Sequence, residues 1–174
     1  MNDMHKQKGL TLVDMLLWLA IFSVLTGMVI ANFRGGSQNE SVRLASNLGS
    51  SLLRRAQTMT LTGAVLPDGD FPDGGYGIHF DTAVANTLTL FADVDGDFVY
   101  DPGEELSDDA VVLPANTSFS LGETLDVVFS PPDGDAYFNG AAAPDTQTIS
   151  FISSQSEIIR TVIVYRLSGQ VREQ

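Results

Sequence analysis

The stretch LTLVDMLLWLAIFSVLTGMVIANF, residues 10–33, decides how the rest of the chain is interpreted. As a helix, its 24 residues would extend about 36 Å at ~1.5 Å per residue, enough to cross a hydrocarbon core of ~30 Å. Lys6 and Lys8 precede it and favour a cytoplasmic N-terminus. Asp14 is its one ionisable residue, and a carboxylate is costly in lipid unless it meets a partner. The stretch therefore predicts a single membrane-spanning helix with a functional acid near its start.

Three interpretations of this stretch compete. An ordinary signal anchor explains the apolar length and the lysines, but it gives Asp14 no role. A secretory signal peptide cut after Val29-Ile30-Ala31 has small residues at the cleavage site, and it also leaves Asp14 without a role. The third interpretation rests on the residues that lead into the apolar run.

Residues 8–14, KGLTLVD, resemble the class III signal of type IV prepilins and type II secretion pseudopilins. In that family a prepilin peptidase cuts after the glycine that ends a basic leader, the new N-terminus is methylated, and the uncut helix becomes membrane anchor and later filament core. The resemblance implies a leader of residues 1–9, cleavage between Gly9 and Leu10, and a methylated Leu10. The fifth mature residue, usually glutamate, is Asp14 here, and the resemblance assigns it to subunit assembly.

The assembly role has a simple physical basis. Cleavage leaves a positive amine beside an apolar helix. A carboxylate one helical turn along a neighbouring subunit would neutralise that amine in a low-dielectric core, where the attraction is stronger than in water.

An amphipathic segment follows the apolar run. Arg34-Gly35-Gly36 marks the membrane exit and a weak point for a continuous helix. Apolar residues then recur at three- and four-residue spacing, at Val42, Ala45, Leu48, Leu52, Ala56 and Met59. This period predicts a helix with one stripe on a globular body, ended by Gly63. Together the two stretches predict one long N-terminal helix over residues 10–63, with its transmembrane part at 10–33.

The remaining residues, 64–174, predict a globular β head. Turn signals rich in Pro, Gly, Asn and Asp separate short runs with β character. The alternation in these runs is typical of sheets with one buried face. Ser168-Gly169 is expected to form a two-residue hairpin turn. The predicted strands are 76–80, 87–92, 110–113, 118–121, 126–129, 136–138, 148–152, 158–167 and 170–173. The fold class is therefore α+β, a long helix packed on an antiparallel β-sheet.

The order of segments in the head extends the resemblance over nearly the whole chain. LRRAQTMTLTG, GYGIHF, LFADVDGDFVYDPGEEL, VVFSPPDGDAYFNG and TVIVYRLSGQVR follow one another as in FimT-like minor pilins and the H-type minor pseudopilin of type II secretion. The resemblance implies a pilin-like fold and a minor subunit that primes or tips a filament.

The charge of the chain is strongly one-sided. It has 22 Asp plus Glu against 9 Lys plus Arg, a net charge of −13, and no Lys or Arg between Arg55 and Arg160. Such a balance argues against a general nucleic-acid binder, because phosphate binding needs clustered cations. With no cysteine, disulfides and thiolate metal sites are excluded.

One acidic segment, DVDGDFVYDPGE at residues 93–104, has the spacing of a calcium loop. Its candidate ligands are Asp93, Asp95, Asp97, Asp101 and Glu104 at positions one, three, five, nine and twelve, with the Val99 carbonyl at seven. Phe98 stands at position six, where glycine is usual. Because a strand precedes it, the segment is expected to be a calcium loop in a β connection, with a structural Ca²⁺. A solvated acidic turn is the alternative.

Other candidates carry less information. His79 is expected to be a surface or edge residue of its strand, and no catalytic sequence motif is present, so a non-enzymatic role is predicted. Arg160, Arg166 and Arg172 concentrate the basic charge of the head. Some FimT-like proteins are associated with DNA uptake, which makes DNA binding a lesser alternative to structural ion pairing.

The sequence thus predicts a structural subunit of a type IV pilus or type II secretion pseudopilus. Its partners would be other pilin or pseudopilin subunits, prepilin peptidase and the inner membrane, with the head outside and the mature subunit in an extracellular or periplasmic filament. A membrane-anchored or secreted calcium-stabilised binding domain that does not polymerise is the alternative from another class.

Overall fold

The computed structural model describes residues 12–174, except the side chains of 31–37, 107–109 and 156. Gly9 and Leu10, the predicted processing site, lie outside the described residues. One long helix precedes strands that form antiparallel sheets, so the α+β class is confirmed. The chain divides into two compact units between Ser37 and Gln38.

The first unit contains the beginning of helix α1, Leu12–Thr62. Residues Leu12–Ile30 form a 19-residue window with a mean hydropathy of 2.2, and none of it is buried. This is long and apolar enough to span a membrane, and a signal sequence near the N-terminus would have the same properties.

The second unit begins within α1, where the predicted apolar stripe is found. Val42, Ala45, Leu52 and Ala56 are buried, and Leu48 and Met59 are half-buried. Gly49 is also on the buried side, and a Cβ there would collide with the ring of Phe151. The small residue therefore lets the helix approach the sheet closely.

The C-terminal end of α1 has the predicted glycine stop. Gly63 has a φ of 63°, in the left-handed region that glycine enters without steric cost. Its N–H bonds the Thr60 carbonyl at 3.2 Å, and the next N–H, of Ala64, bonds the Met59 carbonyl at 2.9 Å. These two bonds define a Schellman motif.

Nine strands follow α1 in residues 64–174, and they form two sheets. The strands are β1 Gly75–Phe80, β2 Thr87–Asp93, β3 Glu105–Val112, β4 Thr117–Ser120, β5 Leu125–Ser130, β6 Asp135–Phe138, β7 Thr146–Ser153, β8 Ser156–Tyr165 and β9 Val171–Glu173. The first sheet has the order β3-β2-β1-β5-β6, and the second has the order β4-β7-β8-β9.

Two local expectations were wrong. The strand predicted at 110–113 begins five residues earlier, at Glu105, because Glu105 pairs with Phe91 beyond an irregularity in the ladder between Thr89 and Phe91. The turn between β8 and β9 is not a two-residue hairpin: a 3₁₀ turn at Arg166–Ser168 precedes Gly169, whose φ is 56°.

The expectation of one buried face also fails for the first sheet. Tyr76, Ile78 and Phe80 of β1 belong to the main core, which also contains residues of α1 and of the second sheet. Phe91 and Val128 are fully buried as well, but they are not part of that core. The outer face of the first sheet is therefore covered, and the covering segment is the acidic loop described next.

Candidate functional site: the apolar helix start and the acidic loop

Asp14 lies in the first turn of α1, where its side chain is exposed. A carboxylate in this position interacts favourably with the positive end of the helix dipole. The apolar window continues beyond it to Ile30 without another charged residue. An acid at the start of an otherwise apolar exposed helix is thus the chemical feature of the first unit.

The acidic loop, Asp93–Glu104, connects β2 to β3 directly. Asp93 is the last residue of β2, and β3 begins at Glu105. The expectation of a strand before the loop, rather than an EF-hand helix, is confirmed. Glu104 closes the loop: its carboxylate accepts the N–H groups of Val94 at 2.8 Å and Asp101 at 3.0 Å.

Asp93 organises the first half of the loop. Its side chain is fully buried, and its two oxygens accept the N–H groups of Gly96 at 2.8 Å and Phe98 at 2.9 Å. Gly74 passes close by, and a Cβ at that position would collide with the Asp93 carboxylate. Residue 74 must therefore be a glycine for the Asp93 carboxylate to keep this position.

Position six of the loop adopts the conformation that its usual glycine would have. Phe98 has a φ of 63°, which is uncommon for a residue with a bulky side chain. Its ring stacks on Tyr137 of β6 with 4.0 Å between centroids and 10° between planes. The aromatic contact offsets the backbone strain, so the departure from glycine leaves the turn intact.

The predicted ligands separate into a converging group and a closing group. Carboxylate oxygens of Asp93, Asp95 and Asp97 all lie within 4.8 Å of one another. Asp101 and Glu104 do not belong to this group. They form the closing group, in which the Glu104 carboxylate accepts the Asp101 N–H. Val99 is half-buried, and its N–H bonds Asp97 Oδ1 at 2.8 Å.

Burial and like charge both act on the carboxyl of Asp93. Its pKa is raised to about 6: burial is the largest cause, the N–H groups of Phe98 and Gly96 oppose the rise, and the charges of Glu104 and Asp97 add to it. Glu105, just outside the loop, behaves oppositely: its own backbone N–H and that of Gly103 lower its pKa. The centre of the loop is thus where negative charge is least favourable.

These residues fit a hard cation. Ca²⁺ takes oxygen ligands only, and the three converging carboxylates offer such oxygens. A cation at this point would offset the repulsion among the three aspartates. Its contribution would be structural, since it would fix the path of the β2–β3 connection.

A polar cluster beneath the loop was missed by the sequence reasoning. His79 is not an edge residue, because β1 is the central strand of the first sheet and pairs His79 with Asp126 of β5. His79 Nδ1 and Asp126 Oδ1 are 2.6 Å apart, with 16% and 7% of the side chains exposed. The ring of Tyr100 covers His79 with 4.3 Å between centroids. The pairing of β1 with β5 is a long-range property, and the period-two pattern alone did not reveal it.

The three arginines of the C-terminal region do not converge on one surface. Arg172 pairs with Ile163 across β8 and β9, so it shares a face with that residue, whereas Arg160 alternates to the other face. Arg166 bonds Asp145 at 3.3 Å, which is the structural ion pairing expected as the alternative to DNA binding. Arg172 lies over the ring of Tyr165 at 5.7 Å.

Comparisons with protein-family models, with curated proteins and with solved structures find no match to this chain.

Proposed function

We propose that this chain is a non-enzymatic filament subunit, a minor pilin or pseudopilin of a type IV pilus or type II secretion pseudopilus. The observation that carries the proposal is the exposed apolar window Leu12–Ile30 with a single acid, Asp14, in its first turn. The resemblance of residues 8–14 to a prepilin signal agrees with it. So does an antiparallel β body with the second part of α1 packed on it, as a pilin-like fold requires.

Assembly would bring the apolar windows of several copies together. Cleavage after Gly9 would make Leu10 the N-terminal residue, and its amine would meet Asp14 of a neighbouring copy. The pairing would offset the cost of burying each charge and would set the axial register between copies.

Substitution of Asp14 tests this role. We expect Asp14→Asn to reduce incorporation into filaments by at least tenfold, because an amide cannot neutralise the amine. Asp14→Glu is the matched control, since it restores the family's usual residue and keeps the charge; it should assemble as well as the natural chain. The measurement is the amount of subunit in sheared filaments relative to the amount in membranes. Equal incorporation of Asp14→Asn and Asp14→Glu would overturn the assembly role.

The convergence of Asp93, Asp95 and Asp97 favours a second function within the same protein, structural calcium binding. With the Kd of roughly 10⁻⁴–10⁻³ M typical of extracellular modules, 10 mM Ca²⁺ would stabilise the folded chain by about 1.4–2.7 kcal/mol. Thermal unfolding in CaCl₂, MgCl₂ and EDTA measures this directly.

Asp95→Asn and Asp133→Asn form a matched pair for that measurement. Both remove one negative charge from an exposed side chain, but only Asp95 belongs to the converging group. We expect the calcium-dependent rise in melting temperature to shrink in Asp95→Asn and to persist in Asp133→Asn. No rise in the natural chain would contradict calcium binding and leave the filament proposal untouched.

A non-polymerising binding domain is the other candidate. The apolar window would attach such a domain to a membrane equally well. The filament assay separates the two, because a domain that only anchors would be absent from sheared filaments whatever residue stands at position 14.

A further inference from the structure

The outer face of the second sheet is not buried by any described residue. Successive residues of a strand point to opposite faces, and Ile149, Phe151, Val162 and Val164 of β7 and β8 belong to the core. The residues that alternate with them therefore point outward, and each of these is half-buried or exposed. The first sheet differs, because the acidic loop covers its outer face.

The outward residues of the second sheet lack acidic side chains. Ile152 pairs with Ile159 across β7 and β8, and Ile163 pairs with Arg172 across β8 and β9. The Arg172 guanidinium lies over the ring of Tyr165, 5.7 Å from its centroid. The other outward residues in the paired stretches of β7 and β8 are serine or threonine. We call Ile152, Ile159, Ile163, Tyr165 and Arg172 the free face.

Two properties of the free face indicate a contact surface. Ile159 is 60% exposed, and it lies beside two further isoleucines that are only half-buried; grouped apolar side chains on a surface mark an interaction site. Arg172 makes no ion pair with a described residue, so its charge can meet a carboxylate of another molecule. The complementary surface therefore combines an exposed apolar side chain with negative charge.

The acidic loop is a surface of this kind. Val94 is 51% exposed, and the exposed residues Asp95 and Asp97 follow it closely in the chain. The acidic loop and the free face lie on the outer sides of two different sheets, whose inner sides share one core. One copy cannot bring its own two surfaces together, but two copies can. A contact between different surfaces of identical chains can repeat in an open array, as a filament requires.

We propose that the free face of one copy binds the acidic loop of a second copy of this chain, with Val94 against the isoleucines and the loop carboxylates near Arg172. The inference rests on the proposed filament, since it names the surfaces by which neighbouring heads meet. The net charge of the chain is −13, so two acidic surfaces repel each other. A face without acids is where a second copy meets the least repulsion.

Cross-linking between two cysteine variants of the full chain tests this contact. The natural chain has no cysteine, so differently tagged Ile159→Cys and Val94→Cys chains, produced in the same cells, can be linked only at these positions by a short bismaleimide. We expect more adduct between the two variants than between two Ile159→Cys copies, because the contact joins different surfaces. Val112→Cys replaces Val94→Cys in the control, since Val112 is 63% exposed on β3, outside the acidic loop. It should give little adduct.

A charge exchange tests the polar part of the contact. Arg172→Glu, added to both cysteine variants, should reduce their adduct about tenfold, because it sets an acid against the acidic loop. Asp95→Arg, added to the same chains, restores opposite charges and should restore the adduct. A loss that Asp95→Arg does not reverse would contradict the pairing of Arg172 with the loop.

The outcomes separate this contact from the filament itself. If sheared filaments contain the chain, but Ile159→Cys links no better to Val94→Cys than to Val112→Cys, or links to a different protein instead, the contact is wrong and the filament proposal stands. If the adduct forms in membranes while sheared filaments lack the chain, the contact stands and the filament proposal is wrong. Absence of both the adduct and the chain from filaments overturns both.

Discussion

The apolar window Leu12–Ile30 and the acidic loop Asp93–Glu104 differ in how their backbone groups are hydrogen-bonded and in what their side chains leave exposed or charged. In the window, the helix satisfies its own backbone, and what remains is apolar surface that is not buried at all. In the loop, side-chain carboxylates satisfy backbone N–H groups, and what remains is negative charge around a buried Asp93. Each segment therefore makes backbone hydrogen bonds from its own residues, whereas its side chains leave apolar surface in the window and negative charge in the loop. On the functions proposed above, a membrane or a filament core would cover the window, and a cation would offset the negative charge of the loop.

The largest expected effect is the loss of membrane association when charged residues are placed in the apolar window. Arginine near the centre of a membrane span costs about 2.5–3.5 kcal/mol per residue, so Leu19→Arg combined with Val24→Arg should abolish membrane association. Leu44→Arg combined with Leu61→Arg is the control, because both residues are exposed on α1 outside the window, at 48% and 51%. Membrane fractionation measures the effect. Retention of the first double variant in membranes would contradict the spanning role.

The next effect concerns the buried charge of the loop. The pKa of Asp93 is raised from 3.8 to about 6 in the folded chain, so between these values the folded chain keeps a proton that the unfolded chain has lost. The free energy of unfolding in EDTA should therefore fall as the pH rises through this window, by up to about 3 kcal/mol. Asp93→Asn should lack this fall. Urea unfolding of both chains from pH 4 to pH 7 measures it, and parallel curves would contradict the assignment.

These two segments also show what the sequence could reveal. The window is a local property of consecutive residues, and hydropathy over Leu12–Ile30 is enough to predict it. The spacing of Asp93, Asp95 and Asp97 is local too, and the turn at Gly63 follows from one residue type. In each case the physical cause lies within a few residues of the effect.

The contact between His79 and Asp126 and the covered face of the first sheet depend on distant residues instead. His79 meets Asp126 because β1 pairs with β5, and no local pattern specifies which strands pair. The stack of Phe98 on Tyr137 likewise explains a left-handed phenylalanine that the sequence showed only as a departure from glycine. The period-two alternation of β1 by itself predicts one buried face, because the loop that covers the other face comes later in the chain.

A smaller effect tests how closely the loop fits its neighbours. Gly74→Ala would place a Cβ against the Asp93 carboxylate, and we expect a loss of about 1–3 kcal/mol of stability together with the calcium response. Gly122→Ala is the matched control, since no heavy atom lies within 4 Å of its Cβ position and its φ is not left-handed. Urea unfolding with and without calcium measures both. Equal stability of the two variants would show that the close approach is not needed.

The smallest expected effect distinguishes the cost of the backbone strain at Phe98 from the contribution of its aromatic contact to stability. Phe98→Ala loses the stack on Tyr137 and keeps a Cβ in a left-handed conformation, whereas Phe98→Gly loses the stack and relieves the strain. Phe98→Gly should therefore be more stable than Phe98→Ala by about 1 kcal/mol. The comparison is again made by urea unfolding. An alanine variant as stable as the glycine variant would mean that position six is not strained.

The intact mass and N-terminal fragment of the chain, purified from cells that contain prepilin peptidase, test the central proposal most directly. A filament subunit should begin at N-methylated Leu10. A chain that begins at Met1, as a plain anchor would, or at Asn32, as a secreted domain would, contradicts it.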